Sequence, residues 1–312
     1  MNTQADAVPG SGAEPQAVAP AAMAATRPLY WSVRRELWEN RSIHIAPLAV
    51  AAVFMLGFLI STIHLAEKVR AALALDAAQQ QAHLARPYSV LAILLILNAF
   101  AVAVFYCLDA LHGERRDRSI LFWKSLPVSD LVTVLSKAAI PLVVLPLLTF
   151  AIIVATQLVM RVLSVAVLYA NGLSSEPLRT QVPLLQMSLV LLYGLTVQAL
   201  WYAPVYGWLL LVSAWARRST FLWAVLPLLG ICVVERIAFS TSHFASMLGH
   251  RLTGGFAGAF DGVKATNGVP IVSLTQLAPG KFLSGPGLWI GLVAAVALLL
   301  AAARLRRYRE PN

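Results

Sequence analysis

HGERRDRSILFWKSLPVSD, residues 112–130, separates two long apolar runs. Arg115, Arg116, Arg118 and Lys124 fall within ten positions of one another, and Ile120, Leu121, Phe122 and Trp123 interrupt them. The flanking runs, 88–108 and 138–159, have the length of a membrane helix, which needs about 20 apolar residues to cross about 30 Å of hydrocarbon. Neither alternates apolar with polar residues, which argues against strands. The charged segment is therefore read as a loop between two membrane spans, and the rest of the chain is read outward from it.

Four more runs of the same kind occur, at 45–63, 184–214, 221–239 and 285–303. The fourth in chain order is long, and Pro204 inside it permits a kink or a break. Composition agrees with six spans. The chain has 312 residues, 59% of them hydrophobic and only 12% charged, about half the charge of a soluble domain. The expected fold is all-α and integral to the membrane. The net charge of +10 does not point to nucleic acid, because the basic residues flank apolar runs and are not pooled on one polar domain. Cys107 and Cys232 both lie in apolar runs and read as packing residues.

An even number of spans puts both termini on one side. Counted with the termini inside, fifteen Lys and Arg fall on the inner face and eight on the outer, with Arg236 inside the fifth span left out. The positive-inside bias then predicts cytosolic termini in a bacterial-type inner membrane, and a cytosolic loop at 110–130. Residues 1–26, rich in Ala, Pro, Gly and Gln, read as a disordered cytosolic tail. Residues 27–43 read as an interfacial helix ahead of the first span. Leu29, Tyr30, Val33 and Leu37 share one sector of its wheel; Trp31 and Trp38 share another beside Arg34 and Arg41, a pairing suited to the headgroup level. Residues 44–309 then form the six-span domain.

Topogenic arginines alone would account for the charge of the loop, but not for Ile120, Leu121, Phe122, Trp123 and Leu126. A free loop gains nothing by exposing a Phe and a Trp, so these side chains are expected to be covered by membrane or by a partner. Pro127 ends any helix there, and Ser129 is a good N-cap for the helix entering the third span. The layout suits a lever between two membrane helices, and docking of such a helix in a groove is a common grip.

GERRDRSILFWKSLPVSDLVTVLSK, residues 113–137, resembles the cytosolic loop of type-2 ATP-binding-cassette (ABC) exporter permeases, with its E-R-x-x-x-[ST] turn and SLPVS break. GWLLLVSAWARRS, residues 207–219, at the end of the fourth span is also similar, as is the overall order of an interfacial helix, six spans and a long outer segment. The resemblance covers roughly residues 29–309, and only 113–137 is specific. It implies that residues 113–126 form a coupling helix, with Glu114, Arg115, Arg118, Phe122, Trp123 and Leu126 as candidate contacts to a separate ABC ATPase subunit. It further implies that the interfacial helix braces that contact, that two permeases pair, and that ATP and Mg are held by the partner. This chain is expected to bind no cofactor of its own: it has no G-x-x-x-x-G-K-[ST], and Gly280-Lys281 runs into Phe282.

Other sites are weaker. No H-E-x-x-H or G-x-S-x-G occurs. His243, His250 and Asp261 match no metal template, and Asp109, His112 and Glu114 read as local ion pairing at a span end. Polar groups within spans are more informative, because burying them in lipid costs free energy. Asn98 sits mid-way along the second span. Gln198, Trp201, Tyr202 and Tyr206 form a three- and four-spaced stripe on the fourth, either a path lining or contacts between helices. Glu235 lies about 22 Å into the fifth span at 1.5 Å per residue, either on a substrate path or anchoring the span end. The segment 240–286 is too polar for a span and is expected to form short re-entrant helices or a loop. An ABC exporter permease is the preferred function. A stand-alone secondary transporter or channel would predict inverted repeats and midplane charges, and a membrane-embedded enzyme would need a catalytic set at one depth. Neither pattern is evident.

Overall fold

The computed structural model describes residues 26–117, 129–260 and 274–308. Every regular element among them is helical; the one β-type contact is an isolated antiparallel bridge between Phe260 and Leu277. Six helices are long and apolar enough to cross a membrane, and the protein is an all-α integral membrane protein. The expected tail lies outside the described residues apart from Thr26. So do Arg118, Phe122, Trp123 and Leu126 of the expected coupling helix, and Asp261.

Helix α1 (Thr26–Glu39) precedes the first span, α2 (Ser42–Thr62). A short amphipathic helix, α3 (Leu65–Leu73), buries Ala66, Val69 and Ala72. The second span, α4 (Ala77–Asp109), starts well before residue 88 because Asp76 caps it, its side chain accepting from Gln79 N at 2.8 Å. Pro87 is absorbed within it. One turn of helix, α5 (His112–Arg116), follows.

The third span begins at α6 (Asp130–Ala139), where the Ser129 side chain accepts from Val132 N, the N-cap expected from sequence. It continues through a π-helical turn, Ile140–Val144, into α7 (Leu145–Ala170). Pro146 cannot donate to a carbonyl one turn back, and its ring crowds that turn; the widened turn, with Leu145 N–H bonded to Ile140 O, accommodates it. Gly172, at φ +68°, closes α7 in a left-handed cap in which Leu173 N donates to Leu168 O at 2.9 Å. Helix α8 (Glu176–Gln181) leads to the fourth span, α9 (Leu184–Trp215), which runs through Pro204 without a break.

The fifth span is α10 (Thr220–Phe239). Ser240, in the left-handed region at φ 51°, ends it and turns the chain into α11 (His243–Thr253) and α12 (Gly255–Ala259). Helix α13 (Pro279–Ser284) precedes the sixth span, α14 (Pro286–Tyr308).

The bundle has two ends. At one, α1, α5, the start of α6, the end of α9 and the end of α14 meet. Ile43, Tyr106, Ile140, Tyr206 and Leu210 form the core behind that meeting. At the other, α3 and α8 pack with the ends of α4 and α7 around Val69, Tyr88, Met160, Leu168 and Leu178. The first is called the terminal end below. Helix α9 is the central post and packs closely on α14, where Gly207 sits so near Ala295 that a Cβ would stand 3.3 Å from its carbonyl oxygen.

Candidate functional site

The terminal end holds a buried ion network. On α1, Val33 and Leu37 pack against the core, and between them Glu36 is buried to 2% exposure. An ionised carboxylate in such a place must be paired or its burial is prohibitively costly. Its Oε1 accepts from Lys137 Nζ at 2.8 Å, and Tyr106 Oη donates to its Oε2 at 2.8 Å. Asn40 Nδ2 also donates to it, at 3.4 Å.

Lys137, itself 2% exposed, lies 3.1 Å from Glu114 Oε1 on α5. Arg306 of α14 reaches Glu114 Oε2 at 3.1 Å and Asp130 Oδ1 at 3.4 Å. Arg35 reaches Glu114 Oε1 at 3.5 Å and also pairs with exposed Glu39. Among the described residues, three carboxylates (Glu36, Glu114, Asp130) thus face three cations (Lys137, Arg306, Arg35), with exposed Glu39 at the rim. Glu114 is its hub, joining α1, α5, α6 and α14.

Arg115 makes the second tie. Its guanidinium donates to the carbonyls of Ser213 at 2.6 Å and Ala216 at 2.7 Å, at the C-terminus of α9. A cation there meets the negative end of the helix dipole and satisfies carbonyls that the helix leaves over. Ser213 Oγ accepts in turn from Leu111 N and His112 N, both at 3.0 Å. The described contacts of Glu114 and Arg115 tie α5 to α1, α6, α9 and α14. Arg116 instead stays exposed, with Asp117 at 3.1 Å and Asp109 at 3.9 Å.

The mid-span polar residues divide. Gln198 and Tyr206 face a cavity of about 20 Å³ that Phe100, Pro141 and Pro146 also line, room for about one water. Among the described residues, Gln198 Oε1 is buried with no donor, and Asn98 Nδ2 with no acceptor. Trp201 and Tyr202 do something else: Trp201 Nε1 donates to Arg251 O at 2.8 Å, and Tyr202 Oη to Leu252 O at 2.6 Å. They hold the end of α11.

Helix α11 is a strap at the end opposite the network. None of its residues is buried, so apolar contact does little to dock it. Polar pins do the work. Glu235 of α10 caps its N-terminus, accepting from His243 N at 2.7 Å, Phe244 N at 2.9 Å and Thr241 Oγ1 at 3.0 Å. At the other end the Arg251 guanidinium stacks on Trp201, 4.4 Å from the ring centroid, and donates to Gly287 O at 3.0 Å. It rests on Gly291 of α14, where any Cβ would collide with it. The sequence allows Glu235 either as a path residue or as an anchor of the span end; its described partners are the first two amides of α11 and the Thr241 hydroxyl.

The sequence reading missed Glu36, Lys137 and Arg306. Glu36 interrupts an apolar helical face and the two bases sit at the edges of apolar runs, features that single out each residue in the sequence but not their pairing. Among the described residues no group of three or more His, Cys, Asp and Glu gathers as metal ligands would. No family model, curated protein or solved structure matches the chain.

Proposed function

We propose that the chain is the membrane-spanning subunit of an ABC exporter, in which ATP hydrolysis on a separate ATPase subunit moves residues 113–130 as a lever. The observation that carries this reading is the ion network. It joins the helix before the first span, the stalk of the loop and the ends of the third and sixth spans into one body, so a push on the loop is transmitted to several spans together. A loop serving only topology would need no such buried bracing. The sequence resemblance at 113–137 supplies the identity of the partner.

In this reading the terminal end is cytosolic, in a bacterial-type inner membrane, and Phe122, Trp123, Leu126 and Arg118 meet the ATPase. Glu114 and Arg115 position the loop from within. ATP and Mg belong to the partner. A second permease copy covers α10, whose span window is only 6% buried within the chain. Asn98, Gln198 and Tyr206 are the candidate path residues, because two of them carry polar atoms with no partner among the described residues. Differential contact with two nucleotide states of the ATPase is what would drive the change. The test is reconstitution of the full chain with a candidate ABC ATPase subunit. Co-purification together with stimulated ATP hydrolysis supports the reading. A chain that transports alone, unaffected by nucleotide, refutes it.

A further inference from the structure

Arg34 lies on the exposed side of α1 between two indoles, its Cζ 5.2 Å from the Trp31 centroid and 6.0 Å from that of Trp38. The rings are 58% and 73% exposed in the isolated chain. Arg41, one turn beyond Trp38, is exposed as well. Neither Arg34 nor Arg41 pairs with a carboxylate among the described residues; of the two acids on this helix, exposed Glu39 is bound to Arg35 and Glu36 is buried in the ion network. Two residues, Asn40 and Arg41, separate Glu39 from Ser42, where the first span begins, so this face lies at the membrane boundary.

Water suits the guanidinium but not two open indoles, and hydrocarbon suits the indoles but not the guanidinium. The headgroup layer suits both. A zwitterionic headgroup brings its own cation into that layer, whereas an anionic one leaves its charge for the protein. Two arginines without protein carboxylates therefore favour a headgroup of net negative charge. The reverse face of the same helix carries Arg35 and Glu36 into the ion network, so occupation of one face bears on the other.

We propose that the Trp31–Arg34–Trp38 face of α1, with Arg41 beside it, binds an anionic phospholipid headgroup, and that the bound lipid steadies α1 against the ion network. The binding claim rests on the geometry of α1 and its place before a span, not on the exporter reading, and it is measured on the chain alone. The full chain is reconstituted in nanodiscs of phosphatidylcholine, or of an equimolar mixture with phosphatidylglycerol. Lipid retained after transfer to detergent is quantified by mass spectrometry, and hydrogen exchange is followed over residues 26–39.

The wild-type chain retains phosphatidylglycerol in preference to phosphatidylcholine, and α1 exchanges more slowly when phosphatidylglycerol is present. Arg34→Gln, an exposed change that leaves the fold intact, lowers the preference about fivefold, the effect of one arginine near a charged surface. Arg34→Lys keeps most of it. Trp31→Ala with Trp38→Ala lowers retention of phosphatidylglycerol. Equal retention of the two lipids by the wild type, or an unchanged preference in Arg34→Gln, overturns the proposal. So does protection of α1 by the ATPase in lipid-free detergent with no response to phosphatidylglycerol, which would give this face to a protein partner. Loss of ATPase binding with lipid preference intact would overturn the exporter reading and leave this one standing.

Discussion

Glu36 and Lys137 form the most enclosed ion pair described, each 2% exposed and 2.8 Å apart. Such a pair adds little over a well-packed apolar pair, but removing one partner strands the other charge, at a cost of about 3–5 kcal/mol. Lys137 keeps Glu114 at 3.1 Å, so the cost of losing Glu36 should fall at the lower end of that range. Glu36→Ala is therefore expected to lower thermal stability in detergent sharply. Tyr106→Phe, which removes one hydrogen bond to the same buried carboxylate, should cost about 1.5–3 kcal/mol. Arg35→Gln should cost less than Glu36→Ala, because Arg35 is partly solvated and its pair with Glu39 is exposed. Differential scanning fluorimetry of the three variants checks the order; equal losses would mean that the buried pair is not what holds α1.

The elements differ in how they are held. Spans α4, α7, α9 and α14 are fixed by buried side chains, whereas α11 hangs on its two polar pins. Regions with few buried apolar contacts open first. Gly291→Ala isolates one pin. Alanine favours a helix interior over glycine, so α14 itself should gain slightly, while the added methyl expels the Arg251 guanidinium from its seat. Loss of the contact with Trp201 and of one hydrogen bond amounts to about 1–2 kcal/mol, so hydrogen exchange across 243–253 should rise roughly five- to thirtyfold. Unchanged exchange would show that Arg251 is not a pin. Glu235→Gln should act at the other end of α11, raising exchange there and lowering the amount of folded protein in the membrane; a change in transport alone, with unchanged exchange, would instead make Glu235 a path residue.

At the scale of the whole molecule, the six spans, their order and the Ser129 cap were legible in the sequence, because hydrophobic length and capping chemistry are local. The early start of α4 was missed: residues 77–87 carry Gln, His and Arg, and the Asp76 cap with packing by α3 and α8 makes them helical. The ion network was illegible for a related reason. Glu36, Glu114, Lys137 and Arg306 are far apart in sequence, and each alone reads as a flank charge that sets orientation. Trp201 and Tyr202 belonged to a visible stripe, but their partners Arg251 and Leu252 lie some 50 residues on, in a segment with no strong periodicity.

Orientation and partnership also belong to this scale. Cysteines placed at Ser219 and Ser246 in a cysteine-free background should label from opposite faces, Ser219 from the cytosol. Outside labelling of Ser219 would place the loop and the ion network on the wrong side for any cytosolic ATPase. The most direct test of the permease account is a pull-down of the ATPase by the detergent-solubilised full chain, comparing the wild type with Phe122→Ala combined with Trp123→Ala. Aromatics at an interface centre are worth about 2 kcal/mol or more on truncation, so binding should weaken by at least about thirtyfold and stimulated hydrolysis should fall with it. Arg116→Ala, an exposed charge, should bind nearly as the wild type does and alter mainly the salt dependence. A double aromatic variant that binds and stimulates like the wild type would contradict the account.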